Sequence, residues 1–342
     1  MRIAPVKALN AIKRHVDWRL ASAVGATLAL GGLAAWNVSR ARAAERTFPR
    51  VGRYVAVDGI ILNCLERGTG RPVVLIHGNS VSSQDFVLSG LMDQLAARGY
   101  RAIAFDRPGY GYSARPRWRS WTADNQTDLV ARAIASMGLE RPVIVGHSWG
   151  ALVALGLALD YPDEISGVVL LSGCYYPTLR ADVALASVVA LPLLGDLLRY
   201  TLAPISGRGT MPMMMKLMFR PRPIPHAFLE LFGAMALRPS QLRAENEDGA
   251  FMEATLVALQ REYGNVRPPV TIVAGIDDVV AEVHRHAVRL HDAIPHSKLD
   301  LVPGTGHMVH YAAPARVVDC VEGVLMAGHV PVLESTTPSL RV

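Results

Sequence analysis

The sequence predicts an α/β fold: a mostly parallel central sheet with helices on both faces, a helical cap insertion, and an apolar N-terminal helix. Short, fully apolar runs alternate with longer segments of helical periodicity, which is typical of parallel strands buried on both faces. This alternation breaks at residues 174–263, where prolines separate helical patterns. Residues 20–38 contain no charged side chain. These three observations carry the prediction.

The apolar segment at residues 20–38 comes first. As a helix it would span about 28 Å, close to the ~30 Å hydrocarbon thickness of a bilayer. Trp18 and Trp36 lie near its ends, where interfacial aromatic side chains are enriched. We therefore expect a single-pass transmembrane anchor, preceded by a basic segment at residues 1–19 and followed by a polar linker at residues 39–52.

A cleaved signal segment is the alternative, since Ala41-Arg42-Ala43 resembles a signal-peptidase site; cleavage would make the protein periplasmic. The long basic region before the segment and the arginines around the site favour an uncleaved anchor. Residues 1–53 carry ten Lys or Arg, five on each side of the segment, so positive charge leaves the membrane orientation open. This basic cluster indicates a membrane partner, and we expect no nucleic-acid partner because no zinc-finger spacing or RNA-binding motif is present.

The remaining chain contains a hairpin pattern followed by alternating strand and helix patterns. Arg53–Val57 and Ile60–Arg67 flank Asp58-Gly59, which predicts a β-hairpin. The predicted parallel strands are residues 73–76, 102–105, 143–145, 168–171, 270–274 and 299–302. The predicted helices between and after them are residues 91–98, 123–137, 149–160, 282–294 and 314–326. The chain thus divides into a core at residues 53–173 and 264–330, a helical cap at residues 174–263, and a flexible tail at residues 331–342.

Gly146-His147-Ser148-Trp149-Gly150 has the pattern G-x-S-x-G between a predicted strand and a predicted helix. In this context a tight turn exposes the serine hydroxyl, and flanking glycines remove Cβ atoms that would clash there. The N-terminus of the following helix also supplies N–H groups near a developing oxyanion. The pattern predicts Ser148 as a nucleophile.

A serine hydroxyl is a weak nucleophile unless a neighbouring base accepts its proton. The partners of such a serine follow in the order acid, histidine. His307 lies in a glycine-rich loop after the last predicted strand and is the expected base, with His310 as a weaker candidate. Asp278, the third residue after Gly275, is the expected acid that orients the base, and Asp277 is the alternative.

The oxyanion formed during acyl transfer needs two donors. The backbone N–H groups of Trp149 and Asn79 are the expected pair, because they follow the nucleophile and the first parallel strand, respectively. His77 is expected to form structural hydrogen bonds.

With these residues in place, the chain resembles the α/β-hydrolase superfamily, in its esterase and lipase branch. The resemblance covers about residues 53–328. It rests on VVLIHGN at 73–79, FDRPGYGYS at 105–113, VGHSWG at 145–150, GIDD at 275–278 and GTGH at 304–307. It implies an α/β-hydrolase fold with a cap over the active site, a structural role for Asp106 and Arg107, and neither cofactor nor metal.

Other members of this superfamily provide alternatives. Asn79 and Trp149 are similar to the halide-binding pair of haloalkane dehalogenases, but those enzymes and epoxide hydrolases use an aspartate where this chain has Ser148. Carbon–carbon bond hydrolases share the serine triad, but their longer glycine-rich motif after the first histidine is missing here. Cofactor-free haloperoxidases share the triad and remain an alternative, as does a non-catalytic binding protein on the same scaffold.

The expected function is hydrolysis of a carboxylic ester of a lipophilic small molecule. The methionines within residues 211–218 suit a lipophilic pocket and ordinary cap packing equally well. A membrane anchor beside such a cap is consistent with a substrate that arrives from the bilayer.

Overall fold

One mixed sheet forms the centre of the protein, in a computed structural model that describes residues 18–178, 190–191 and 193–328. Its strands are β1 (Arg53–Val57), β2 (Ile60–Arg67), β3 (Arg71–Ile76), β4 (Tyr100–Phe105), β5 (Val143–His147), β6 (Gly167–Leu171), β7 (Val270–Gly275) and β8 (Lys298–Val302). The order is β1-β2-β4-β3-β5-β6-β7-β8. The β1–β2 and β2–β4 pairs are antiparallel and the other pairs are parallel. The mostly parallel sheet is therefore confirmed.

The β1–β2 hairpin has the predicted two-residue turn. Val57 pairs with Ile60, and the intervening Asp58 and Gly59 have φ values of 50° and 75°. Two consecutive positive φ angles are what a type I′ turn requires, and Asp-Gly accommodates them well.

Twelve helices occur in the described residues. They are α1 (Trp18–Thr47), α2 (Gln84–Leu88), α3 (Leu91–Ala97), α4 (Ala123–Ser136), α5 (Gly150–Asp160), α6 (Leu194–Tyr200), α7 (Ala203–Phe219), α8 (His226–Met235), α9 (Pro239–Leu259), α10 (Arg289–Ala293), α11 (Val309–Ala312) and α12 (Pro314–Ala327). A 3₁₀ turn at Tyr263–Asn265 follows α9, and a π-helical turn at His284–Val288 precedes α10.

The apolar strands are covered on both faces. Val74 and Ile76 of β3 belong to a buried cluster with residues of α4 and α5. Val73 and Leu75 belong to a second cluster with residues of α3 and α12. Since side chains alternate along a strand, both faces must be apolar, which explains the continuous apolar runs in the sequence.

Helices α6 to α9 lie between β6 and β7 in the chain, and α7 and α8 contribute most of a third apolar cluster. It contains Phe219, Phe228 and Phe232 of these helices, together with Met308 from the core. Within the methionine-rich stretch, Met215 is buried in this cluster, whereas Met213 and Met214 are exposed. Residues 179–189, within the predicted cap, and the predicted tail at residues 331–342 lie outside the described residues.

Helix α1 is longer than the predicted span at residues 20–38. It continues through Thr47, so the predicted linker is helical over residues 39–47. Alanines favour this extension, and Ala44 packs against the cap cluster. Within the part of the chain that the structure describes, α1 is the helix whose length and composition suffice to cross a membrane, and almost none of its apolar stretch is buried.

Candidate active site

Ser148 sits on a sharp turn between β5 and α5. Its φ is 52°, a left-handed conformation that is uncommon for residues other than glycine. Its N–H donates to Leu171 O at 2.8 Å. A Cβ at Gly146 would lie 2.5 Å from Gly150 O, and one at Gly150 would lie 2.2 Å from Ile76 O. The backbone is therefore so close that both neighbours of the turn must be glycine.

A chain of two hydrogen bonds joins Ser148 to a buried carboxylate. His307 Nε2 lies 2.9 Å from Ser148 Oγ, and His307 Nδ1 lies 2.9 Å from Asp278 Oδ2. When Nδ1 donates to the carboxylate, Nε2 is left as an acceptor for the serine proton. The arrangement can therefore deprotonate the Ser148 hydroxyl as it attacks an electrophile.

The structure brings Asp278, and not Asp277, to the imidazole. Asp278 is buried, and its Oδ1 accepts hydrogen bonds from Val280 N at 2.8 Å and Ala281 N at 2.9 Å. Asp277 is exposed. The two backbone donors fix the Asp278 carboxylate so that its second oxygen faces the ring.

The predicted oxyanion donors belong to segments that flank Ser148. A Cβ at Gly78 would lie 2.9 Å from Ser148 Cβ, so the loop that contains Asn79 passes directly beside the nucleophile. Trp149 stands at the N-terminus of α5, where backbone N–H groups lack intrahelical acceptors. The structure therefore places both segments beside Ser148, and the oxyanion role of their N–H groups stays a prediction.

The side chains of this pair are held by other groups. Asn79 Oδ1 accepts from Arg107 Nη2 at 2.6 Å and from Tyr110 OH at 2.9 Å. The Trp149 indole N–H donates to Asp248 O of α9 at 3.4 Å. Because that donor is engaged with the cap, the resemblance to a halide-binding pair does not extend to its geometry.

A buried ion-pair network lies beside the oxyanion loop. Arg107 Nη1 contacts Asp248 Oδ2 at 2.5 Å, and Arg115 Nη2 contacts Asp248 Oδ1 at 3.0 Å. Arg107 also donates to His77 O at 2.9 Å, in the segment that leads into Asn79. The network joins cap to core, and sequence analysis missed Asp248 entirely because it lies among other charged residues of α9.

Asp106 has the structural role that the resemblance implies. Its carboxylate is buried and accepts from Ser83 N at 2.8 Å, Tyr112 N at 2.9 Å and Asn63 Nδ2 at 2.9 Å. A Cβ at Gly111 would lie 2.0 Å from Asp106 Oδ2. The carboxylate therefore fixes the loop after β4.

A second buried cluster lies behind His307. His310 Nε2 lies 2.9 Å from Asp85 Oδ2, and Tyr311 OH donates to Asp85 Oδ1 at 2.8 Å. His147 Nε2 lies 3.2 Å from His307 O. His310, the weaker candidate for the base, is thus paired with a different carboxylate, a contact that no local sequence pattern indicates.

Asp85, His147 and His310 are also the group of described residues whose side chains could ligate a metal ion. His147 Nδ1 and Asp85 Oδ2 are 3.9 Å apart, which is wider than the roughly 3.3–3.6 Å between neighbouring ligands of a tetrahedral zinc ion. The same distance is too long for a hydrogen bond, and His147 Nδ1 has no hydrogen-bond partner among the described residues.

Two histidines near the site are held neutral. His77 Nε2 accepts from Arg107 N at 2.9 Å, and its Nδ1 donates to Gly78 O at 2.7 Å, so it acts as the expected structural hydrogen-bonder. Burial, and secondly the charge of Arg107, holds the pKa of His77 well below its ordinary 6.5. Burial, followed by the neighbouring His310 and His307, also lowers the pKa of His147 well below 6.5.

Neutral buried histidines make stability pH-dependent. Below pH 6.5 the unfolded chain binds a proton at each of these rings that the folded state excludes, so acid favours unfolding. We expect the unfolding free energy to fall by up to about 1.4 kcal/mol per pH unit for each ring. Chemical denaturation in neutral detergent between pH 7 and about pH 5 measures this slope.

The substitution His77→Gln should make that slope shallower, while the same change at the exposed His226 should leave it unaltered. An unchanged slope in His77→Gln would contradict the assignment of a neutral ring.

Comparisons with known proteins agree with this architecture. A model of the alpha/beta hydrolase family matches residues 73–320. The chain is 30% identical over 136 residues to 2-hydroxymuconate semialdehyde hydrolase from Pseudomonas sp. (strain CF600). The aligned residues make up 39% of this chain and 48% of that protein. The matched segment therefore spans about half of that relative.

Two solved structures share the fold. A thermophilic esterase from Thermogutta terrifontis has a TM-score of 0.68 at 21% identity, over 82% of this chain and 100% of that chain. A membrane phospholipase A, described as a bacterial virulence factor, has a TM-score of 0.63 at 20% identity, over 91% of this chain and 97% of that chain. At these identities the likeness concerns the fold alone.

Proposed function

This chain belongs to the alpha/beta hydrolase family, and from that premise we propose that it hydrolyses carboxylic esters of lipophilic small molecules through an acyl-enzyme on Ser148. The hydrogen-bonded series Ser148–His307–Asp278, with both contacts at 2.9 Å, carries the proposal. A base correctly oriented by a buried carboxylate is what converts a serine hydroxyl into a nucleophile.

The reaction takes two steps. Ser148 Oγ attacks the ester carbonyl carbon while its proton passes to His307 Nε2, and the backbone N–H groups of Asn79 and Trp149 stabilise the oxyanion. The tetrahedral species expels the alcohol, which takes the proton from His307. Water then attacks the acyl-enzyme with His307 again as base, releasing the carboxylic acid and restoring Ser148. Throughout, Asp278 fixes the ring tautomer and stabilises its charged form.

The surroundings of His307 support a lipophilic substrate. The following residue, Met308, belongs to the same apolar cluster as Phe219 and Met215 of the cap. A cavity of about 190 Å³ lies between this loop and the cap and is lined in part by Phe219, Met308 and Tyr311. Its lining includes the neighbours of His307 in the chain but neither His307 nor Ser148. Apolar and aromatic linings of this kind suit acyl chains and aromatic esters.

Labelling with a fluorophosphonate probe tests the proposal. The wild-type protein should form one covalent adduct at Ser148, detected by peptide mass spectrometry, and short p-nitrophenyl esters should prevent it by competition. The variant Ser148→Ala should lose the adduct, whereas changing the buried but hydrogen-bonded Ser83 to Ala should retain it. Folded protein with neither labelling nor ester turnover would favour the binding-protein alternative.

We also propose that α1 remains attached as a single-pass membrane anchor. Asn37 Nδ2 donates to the backbone carbonyls of Tyr200 and Thr201 at 2.9 and 2.8 Å, and Ala44 is buried against the cap. Cleavage after Ala43 would remove the Asn37 hydrogen bonds and expose Ala44. These contacts therefore favour an uncleaved helix whose second half belongs to the folded protein.

Deletion of residues 1–34 tests the anchor. The shortened chain keeps Asn37 and its contacts, so turnover of a soluble short-chain ester should stay within about twofold of wild type. It should leave the membrane fraction, and its hydrolysis of an ester embedded in vesicles should fall about tenfold or more, because apolar burial no longer concentrates it at the bilayer. Equal losses on soluble and embedded esters would contradict a membrane role.

A further inference from the structure

A second cavity lies between the C-terminal half of α1 and the cap. It has a volume of about 190 Å³, and its lining includes apolar side chains of Ala44, Phe48 and Leu237 together with Arg40 and Arg208. We call it the α1–cap cavity. None of the residues that line it belongs to the Ser148 site, so it is a separate feature of the molecule.

The cavity carries uncompensated positive charge. Arg208 hydrogen-bonds only to uncharged acceptors in the described part of the chain, Asn37 Oδ1 at 3.4 Å and Pro204 O at 3.3 Å. Burial, and secondly repulsion from Arg40, lowers the pKa of Arg208. Two guanidinium groups that line one cavity without a described carboxylate partner form a site to which an anion would bind favourably.

The third arginine of the lining, Arg238, differs from these two because it has a carboxylate partner. Arg238 Nη1 pairs with Glu45 Oε1 at 2.9 Å, and Nη2 donates to Gly111 O. Its charge is therefore balanced and its donors are occupied. The excess charge of the cavity is confined to Arg40 and Arg208.

The location of the cavity indicates where the anion comes from. The guanidinium of Arg208 stacks on the Trp36 ring at 4.5 Å from its centroid, and Trp36 lies at the predicted end of the hydrocarbon span. Arg40 lies one helical turn further along, about 6 Å. In the proposed anchor this position corresponds to the lipid headgroups, where interfacial tryptophans and basic side chains meet phosphates.

We propose that the α1–cap cavity binds the phosphate of an anionic phospholipid headgroup through Arg40 and Arg208. The planar guanidinium forks match phosphate oxygens, and the apolar lining accommodates the adjoining glycerol and first acyl carbons. The bound phosphate would bridge α1 and α7 and remove the repulsion between the two arginines. The assignment rests on the proposed membrane anchor and does not depend on ester hydrolysis.

A bound lipid that recognises only the folded state raises the midpoint of thermal unfolding. The full-length protein in neutral detergent micelles should show a higher midpoint, followed by tryptophan fluorescence, when phosphatidylglycerol is added than when phosphatidylcholine is added at the same fraction. The double variant Arg40→Gln/Arg208→Gln should lose this difference and bind phosphatidylglycerol at least about tenfold more weakly.

A control with the same loss of charge separates the cavity from general electrostatic attraction. Arg42 and Arg46 are exposed on α1 and do not line the cavity, so Arg42→Gln/Arg46→Gln should keep the wild-type preference. Equal midpoints with the two lipids in the wild type would overturn the proposal, as would loss of the preference in the control. A shift reproduced by millimolar inorganic phosphate would overturn the assignment to a lipid. Failure of fluorophosphonate labelling would leave each of these outcomes unaffected.

Discussion

Replacing Asp278 with asparagine should lower kcat/KM for a short p-nitrophenyl ester by about 10⁴-fold, because it reverses the tautomer of His307. Asp278 Oδ1 accepts from two backbone N–H groups, and an amide nitrogen cannot replace it there. The asparagine NH₂ must therefore face His307 Nδ1, which then becomes an acceptor. Its proton moves to Nε2, where it prevents the ring from accepting the proton of Ser148.

The neighbouring carboxylate provides a matched control. Asp277 is one residue away and exposed, so Asp277→Asn removes the same charge without touching the ring. We expect its kcat/KM to stay within about twofold of wild type. A larger loss in Asp277→Asn than in Asp278→Asn would show that the acid has been assigned to the wrong residue. Steady-state kinetics and the thermal midpoint of each variant decide between the two.

The parts of the fold that could be predicted from sequence depend on local patterns. A strand buried on both faces must be apolar along its length, as Val143–Val145 of β5 are, and a type I′ turn needs residues such as Asp58 and Gly59 that tolerate positive φ. The length of α1 was harder to predict. Charged and alanine residues beyond Val38 resemble a linker, and their helical state is stabilised by contacts with the cap, such as Arg238 with Glu45.

The candidate site also contains residues that local sequence patterns predict and contacts that they do not. Ser148, His307 and Asp278 each follow a strand in a loop with a recognisable composition, so topology alone predicts that they meet at one edge of the sheet. The partners of Arg107 and Asp85 could not be predicted. Asp248 is 141 positions from Arg107, and His310 is 225 positions from Asp85. Each of these contacts depends on how separately formed elements dock, which no local pattern encodes.

Replacing Asp248 with alanine should destabilise the protein by about 3–5 kcal/mol, because it leaves the buried guanidinium of Arg107 without a carboxylate and leaves Arg115 with Glu247 alone. Arg107 and Arg115 lie 2.5 and 3.0 Å from the Asp248 carboxylate, and all three side chains are almost fully buried. Two further groups that donate hydrogen bonds to the Asp248 carboxylate, Gln126 Nε2 and Tyr110 OH, would also lose an acceptor. The unfolding free energy, measured by chemical denaturation in neutral detergent, gives the loss directly.

An exposed ion pair supplies the comparison for this loss. Asp163 lies 3.4 Å from Arg267, with side chains that are 88% and 66% exposed, and Asp163→Ala should cost no more than about 1 kcal/mol because water solvates both charges. Asp248→Asn should fall between the two alanine variants, since the amide oxygen still accepts a hydrogen bond but the charge is gone. Because Arg107 also holds Asn79 Oδ1, the Asp248 variants should lower kcat at temperatures where they remain folded. A cost below about 1 kcal/mol for Asp248→Ala would mean that water enters and solvates the arginines, and that the cap is docked by its apolar contacts alone.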